Sequence, residues 1–191
     1  MELESKRIEK IISKKQRRKE ILEKIKKAGS EEYETDWDNM GIPKILKKKA
    51  KISEGRKSRA RGAGFELKVR MDLGKLGWVV DKWSNNVDLE VGEVVTAKRK
   101  FNPFSKVMTI GTGFPDFIAF QLVDDRRYNV VGVEVKVNGL LSKVEKEKCA
   151  FLLKKKIFNE IWIAKKRKEG RRVFVEYVDF KERYGNKFGL G

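Results

Sequence analysis

Apolar residues recur at helical spacing in some parts of the chain and alternate in others. Ile8, Ile11 and Ile12, then Ile21, Leu22 and Ile25, predict a charged helix over residues 2–28, interrupted by the basic run Lys14–Lys19 and ended by Gly29-Ser30. Phe65, Val69, Leu73 and Leu76 predict an amphipathic helix that starts near Ser58 and is stopped by Gly77. Residues 78–83 read as a strand, and residues 88–110 hold two strand-like stretches around Asn102-Pro103-Phe104, an inserted hairpin. Further strands are expected over 117–122 and 130–137. Ser142 then opens a helix to about Ile157, with Ser142 and Glu145 spaced as a capping box. Strands over 160–164 and 172–178 precede a polar tail. This order predicts an α/β fold, a central mixed sheet flanked by helices, with an N-terminal helical extension. Residues 1–56 form the basic extension or arm, and residues 57–191 the compact domain with its insertion around 88–110.

The hairpin joining 117–122 to 130–137 carries the chemistry. Asp124, Asp125 and Arg126 are turn residues, and facing residues of antiparallel strands have a constant index sum. A turn centred on Asp125 makes that sum 250 and puts Asp116 opposite Glu134. Lys136 shares the face of Glu134, while Val133, Val135 and Val137 point the other way, into a core. Two facing carboxylates repel unless a cation lies between them, so the pattern points to a divalent metal. Lys136 is close enough to hold or deprotonate a water beside it. The alternative is an ordinary amphipathic hairpin with an Asp and a cross-strand Glu–Lys pair, but Pro-Asp before an apolar strand, a turn and Glu-x-Lys in a valine-rich strand is an uncommon combination by chance.

Composition narrows the chemistry. With 46 Lys+Arg against 28 Asp+Glu the net charge is +18, of which +8 lies in residues 1–60. Such an excess favours a polyanionic partner through phosphate neutralisation and counterion release, though a solvated lysine-rich surface is compatible with it. The chain has no histidine, which excludes Ser-His-Asp hydrolysis and His-based nuclease chemistry. Any metal must be held by oxygen, which points to Mg²⁺ (or Mn²⁺). The single cysteine, Cys149, excludes an intrachain disulfide and lies on one helical face with Leu152, Leu153 and Ile157, as a buried small hydrophobe does. No apolar run reaches membrane-spanning length and the N-terminus is not a signal peptide, so a cytoplasmic or nucleoid-associated protein is expected, not a secreted one.

Pro115-Asp116 and Glu134-Val135-Lys136 resemble the two central motifs of the PD-(D/E)xK nuclease superfamily, and Gly64-Phe65-Glu66 resembles its upstream helical motif. The resemblance implies a restriction-endonuclease-like core of helix, three-stranded meander, helix and strand. It implies that Asp116, Glu134 and the Val135 carbonyl bind metal, that Glu66 reaches the metal directly or through water, and that Lys136 positions or activates the attacking water. From the residues alone, a surface glutamate is the lesser alternative for Glu66. Within the superfamily the chain is most similar, over roughly residues 57–178, to archaeal Holliday-junction resolvases and VRR-type nucleases. Lys57-Ser58-Arg59 reads as their basic turn, and residues 141–148 as their helix carrying a Gln, with Glu145 in the place of that Gln. The stretch 87–112 is longer than in compact resolvases, and residues 1–56 have no counterpart there.

Candidate DNA contacts are Arg56, Lys57, Arg59 and Arg61, then Lys98, Arg99 and Lys100 beside Phe101, then Lys148. Gly111-Thr112-Gly113 is either a close approach to phosphate or a flexible turn. The expected function is a Mg²⁺-dependent endonuclease selecting branched DNA by shape, with 5′-phosphate ends as the superfamily resemblance implies. A two-fold-symmetric junction would require a homodimer. A non-cleaving nucleic-acid-binding protein on the same fold is the alternative.

Overall fold

The computed structural model describes residues 2–102, 107–110 and 113–190; the side chains of residues 2–13, 44–45, 99–100, 102 and 107–110 lie outside that description. The chain divides into two units, Met1–Arg61 and Gly62–Gly191.

In the first unit, helix α1 (Glu2–Ala28) is followed by the antiparallel strands β1 (Tyr33–Trp37) and β2 (Pro43–Lys48). The acidic patch and the start of the basic run, which carried no predicted element, are the two arms of this hairpin. Glu34 stands opposite Lys47, and Lys48 Nζ lies 5.8 Å over the ring of its partner Tyr33, so cross-strand pairs of mixed kind join arms that lack apolar alternation. Asp38 closes the turn by accepting from the N–H groups of Met40 and Ile42. Helix α2 (Lys49–Lys75) then begins well before the expected start near Ser58. Residues 49–61 show no apolar period, but Lys, Arg, Ala and Glu are good helix formers. The basic residues Arg56, Lys57, Arg59 and Arg61 are therefore exposed helical positions, not a turn.

In the second unit, strand β3 (Val79–Lys82) leads into two successive hairpins, β4 (Asn85–Asp88) with β5 (Glu93–Thr96), and β6 (Arg99–Asn102) with β7 (Val107–Ile110). A single inserted hairpin was expected. Asp88 builds the additional turn by accepting from the N–H groups of Glu90 and Val91, and Gly92 takes a φ of 73° there. Next come β8 (Phe117–Asp124), β9 (Arg127–Val135), helix α3 (Lys143–Lys154), β10 (Glu160–Glu169), β11 (Arg172–Asp179) and helix α4 (Phe180–Phe188). Helix α4 falls in the stretch read as a polar tail; Asp179 caps it by accepting from Lys181 and Glu182 N–H groups, and its apolar side is Phe180, Tyr184 and Phe188.

The sheet has the order β11-β10-β9-β8-β3, antiparallel except where β10 runs parallel to β9 across α3. Alternation along its strands makes two apolar faces. Phe65, Val69 and Leu73 of α2 pack on Phe117, Ala119, Val131, Val133 and Ala164. Cys149, Leu152 and Leu153 of α3 and Phe180 of α4 belong to the opposite cluster, with Phe158, Ile161 and Ile163. This is an α/β fold with a mixed five-stranded sheet and helical cover on both faces. Val137 departs from expectation: it is 46% exposed, because β9 ends at Val135 and the chain turns at Asn138-Gly139. Among the described residues no helix is long and apolar enough to cross a membrane.

The two sides of α2 differ enough to test. Leu73 is fully buried whereas Leu67 is 60% exposed. Leu73→Ala is expected to lower unfolding free energy by about 3 kcal/mol in urea titration, and Leu67→Ala by less than about 0.5 kcal/mol.

Candidate active site

The β8–β9 register follows the index-sum expectation. Phe117 faces Val133, Ala119 faces Val131 and Leu122 faces Tyr128, each pair summing to 250, before an irregularity near the turn pairs Asp124 with Arg127. Continued one step past the last pair, this register brings Asp116 opposite Glu134. Asp116 stands between strands: its carbonyl accepts from Trp83 N–H at 3.2 Å, and its carboxylate Oδ2 accepts from Val135 N–H at 2.9 Å. The first contact ties it to the end of β3 and the second aims it along the end of β9. Gly113 and Gly132 allow the approach. A Cβ on Gly113 would lie 1.9 Å from the Trp83 carbonyl oxygen, and one on Gly132 would meet Pro115 Cγ at 2.9 Å. Gly113 is thus a close-packing position rather than a loose turn, while Gly111 and Thr112 lie outside the described residues.

Glu134 is a carboxylate in a nearly dry place, 3% exposed on the α3 side of the sheet. Its Oε1 accepts from Lys136 Nζ at 2.8 Å, and its Oε2 is buried without a hydrogen-bond partner among the described residues. Burial, then the nearby Asp116 charge, raise its pKa to about 7 against the opposing Lys136 bond. Asp116 is also raised, by burial first and by the charge of Glu66, with the Val135 N–H bond acting against them. The Asp116 charge thus makes Glu134 harder to ionise, and Glu66 does the same to Asp116.

Lys136 is held from two sides. Besides Glu134, its Nζ donates to Glu145 Oε1 at 2.7 Å. Burial, the largest influence, favours the neutral amine, but the bonds to the two glutamates outweigh it together and raise the pKa. Lys136 is consequently an ammonium, able to orient water or phosphate oxygen by donation but not to take a proton.

Glu145 is the residue that motif spacing placed without finding its second task. It completes the capping box of α3: Ser142 N–H donates to its Oε2 at 2.7 Å, and its own N–H donates to Ser142 Oγ. One carboxylate thus caps the helix with one oxygen and anchors Lys136 with the other. Burial raises its pKa, but the Lys136 and Ser142 bonds dominate and hold it below the ordinary range.

Glu66 lies on α2 with Oε2 3.6 Å from Lys82 Nζ, within electrostatic reach of Asp116. Lys148 donates to Asn86 Oδ1 at 2.7 Å and sits 5.7 Å over the Phe114 ring. Lys98 is exposed just after β5. Arg99 and Lys100 lie on β6, with side chains outside the described residues. Arg56, Lys57, Arg59 and Arg61 belong to the first unit. Among the described residues no three Asp, Glu or Cys side chains converge as a cation cage. Lys136 bridges Glu134 and Glu145, and Asp116 stands beside Glu134, so the candidate cation site is the Asp116–Glu134 pair. It fits an oxygen-seeking cation in two respects, the buried Glu134 oxygen without a partner and a second carboxylate facing it.

The charge arrangement predicts a pH dependence of stability. Because the folded pKa of Glu134, about 7, exceeds the ordinary 4.5, its stabilising effect is complete below about 4.5 and is lost as pH rises through 7. Without divalent cation, thermal melts from pH 5 to 8 should show a decline on the order of 2–3 kcal/mol. Glu134→Gln should flatten it; an equal slope in both proteins would refute the burial-driven shift. Comparison with known protein families, curated proteins and solved structures finds no match to this chain.

Proposed function

We propose that this chain is a divalent-metal-dependent DNA endonuclease built on a restriction-endonuclease-like core. One observation carries the reading: Glu134, buried beside Asp116, has one oxygen on Lys136 and the other without a hydrogen-bond partner among the described residues. A fold that needed only packing gains nothing from a buried carboxylate whose neighbour raises its pKa, whereas a cation site needs both. The element order gives further support. Helix α2, the meander β3–β8–β9, helix α3 and β10 parallel to β9 follow the order that the motif resemblance implies. The net charge of +18 suits a polyanionic substrate.

Asp116, Glu134 and the Val135 carbonyl would hold Mg²⁺ or Mn²⁺, with Glu66 reaching it directly or through water. When bound, the ion supplies Lewis acidity at the scissile phosphate and a water of lowered pKa. The chain's own residues do the rest. The Val135 N–H fixes the direction of the Asp116 carboxylate. Lys136, kept charged by Glu145, donates to the attacking water or to a phosphate oxygen and stabilises the charge that builds there. With Glu134 as a metal ligand, the Glu145 bond would still hold Lys136 in place. Shape-selective cutting of branched DNA, by a homodimer where the substrate is two-fold symmetric, is the form of activity we favour.

A second reading, a DNA-binding protein on the same fold that does not cut, is favoured by one observation. The Lys136 ammonium already neutralises Glu134 in a site where, among the described residues, three acidic groups do not converge.

End-labelled duplex, flap, fork, four-way-junction and single-stranded DNA, incubated with Mg²⁺ or Mn²⁺, separate the two. Cleavage of branched substrates is expected, falling at least about 10²-fold in Asp116→Asn, Glu134→Gln and Lys136→Ala. Undiminished cutting by Asp116→Asn and Lys136→Ala would remove the site assignment, and binding without cutting by the unaltered chain would favour the second reading. Glu145→Gln can keep the capping box with its amide oxygen but turns an NH2 toward Lys136, so it should hold helix stability while losing roughly tenfold in kcat. Glu145→Ala should lose about 1 kcal/mol in denaturant titration and roughly tenfold in kcat, through the loosened Lys136.

A further inference from the structure

Beside the candidate site, the β4–β5 hairpin and the first turns of α3 enclose a cleft of about 630 Å³. That is within the range of about 300–1,000 Å³ typical of small-ligand sites. Val87, Val95 and Val144 give it apolar walls, and Lys98 and Lys148 stand at its edge. Asp88 and Glu90 also line it, so its charge is mixed: Asp88 Oδ1 is turned to the Glu90 and Val91 N–H groups, and Lys98 and Lys148 are the cations of the lining. Asn86 lines the cleft with its Oδ1 fixed by Val87 N–H at 2.8 Å and by Lys148. The ammonium of Lys148 has three donors, of which Asn86 takes one.

The cleft adjoins the candidate site by direct connections. Lys148 lies one turn of α3 beyond Glu145, which holds Lys136, and stands over Phe114, two residues before Asp116. Asn85, the neighbour of Asn86, accepts from Phe114 N–H at 2.8 Å. Phe114 and helix α3 thus link the lining of the cleft to the segments that carry Asp116 and Glu145.

We propose that this cleft receives one unstacked nucleotide of the DNA strand being cut. Its base lies between the valine walls, and its phosphate meets Lys98 and Lys148. The chemistry favours this occupant. Apolar walls suit the flat face of a base, which a stacked duplex does not present, and two edge cations suit the phosphates on either side. Branch points and flaps supply such a nucleotide at least cost, so the cleft would give the enzyme its preference for non-duplex DNA. The proposal rests on the endonuclease reading above.

The test uses the full chain and a branched substrate whose cleavage position has been mapped. 2-Aminopurine replaces each base in turn on both sides of that position, and emission is read with Ca²⁺ in place of Mg²⁺ to hold off cutting. A several-fold rise at one position is expected. Val144→Trp, at an exposed site that folding tolerates, and Val95→Trp fill the cleft. Both should abolish the rise and lower kcat/KM about tenfold, with the anisotropy-measured Kd for DNA within about two-fold. DNA that is bound and cut with no rise at any position would overturn the proposal and leave the endonuclease reading standing. A rise that both variants retain would do the same. Absence of DNA binding would overturn both.

Discussion

The antiparallel register between β8 and β9 is the constraint on which the rest of the second unit depends. With Phe117 opposite Val133, the alternating side chains of both strands divide cleanly. Phe117, Ala119, Val131 and Val133 go to the α2 face, and Glu134 goes to the α3 face beside Asp116. A slip of one residue would send the valines to the α3 side and Glu134 into the apolar cluster under α2. Core formation and site assembly are thus one choice. The hydrophobic energy of the α2 layer, about 1.5–3 kcal/mol for each fully buried large side chain, is what holds two mutually repelling carboxylates near each other.

That repulsion shapes the neighbourhood. Among the described residues Glu134 is compensated on one oxygen alone, by a lysine just past the end of β9 that is also held by Glu145. Because the same carboxylate closes the capping box at Ser142, the position of Lys136 is tied to the start of α3. The helix that covers this face of the sheet therefore also sets the direction of the site's ammonium. Glycine completes the design at Gly113 and Gly132, where any side chain would separate the Asp116 segment from β3 or β9.

Much of this was legible in the residues. The α1 span, the meander strands, the α3 capping box and the index sum all follow from local periodicity and turn chemistry, which act over a few residues. Three elements were not. The β1–β2 hairpin rests on cross-strand pairs and an Asp38 turn rather than on apolar alternation, the first half of α2 on propensity without apolar period, and α4 on a cap and an apolar side within a stretch dominated by charge. Val137, placed in the core by simple alternation, escaped it because alternation carries no information about where a strand stops.

Sequence alone determined which residues are available: an oxygen-only donor set, no imidazole, two carboxylates and a lysine in register, and a charge of +18. Those follow from composition and from the fixed two-residue period of a strand. Only the tertiary structure decided how each is held. It buried Glu134, anchored Lys136 on Glu145, turned Asp116 toward the Val135 N–H, and drew Lys148 and Asn86 around a cleft. The reason is that these outcomes depend on residues up to 62 positions apart, brought together by helix and sheet packing that no local pattern records.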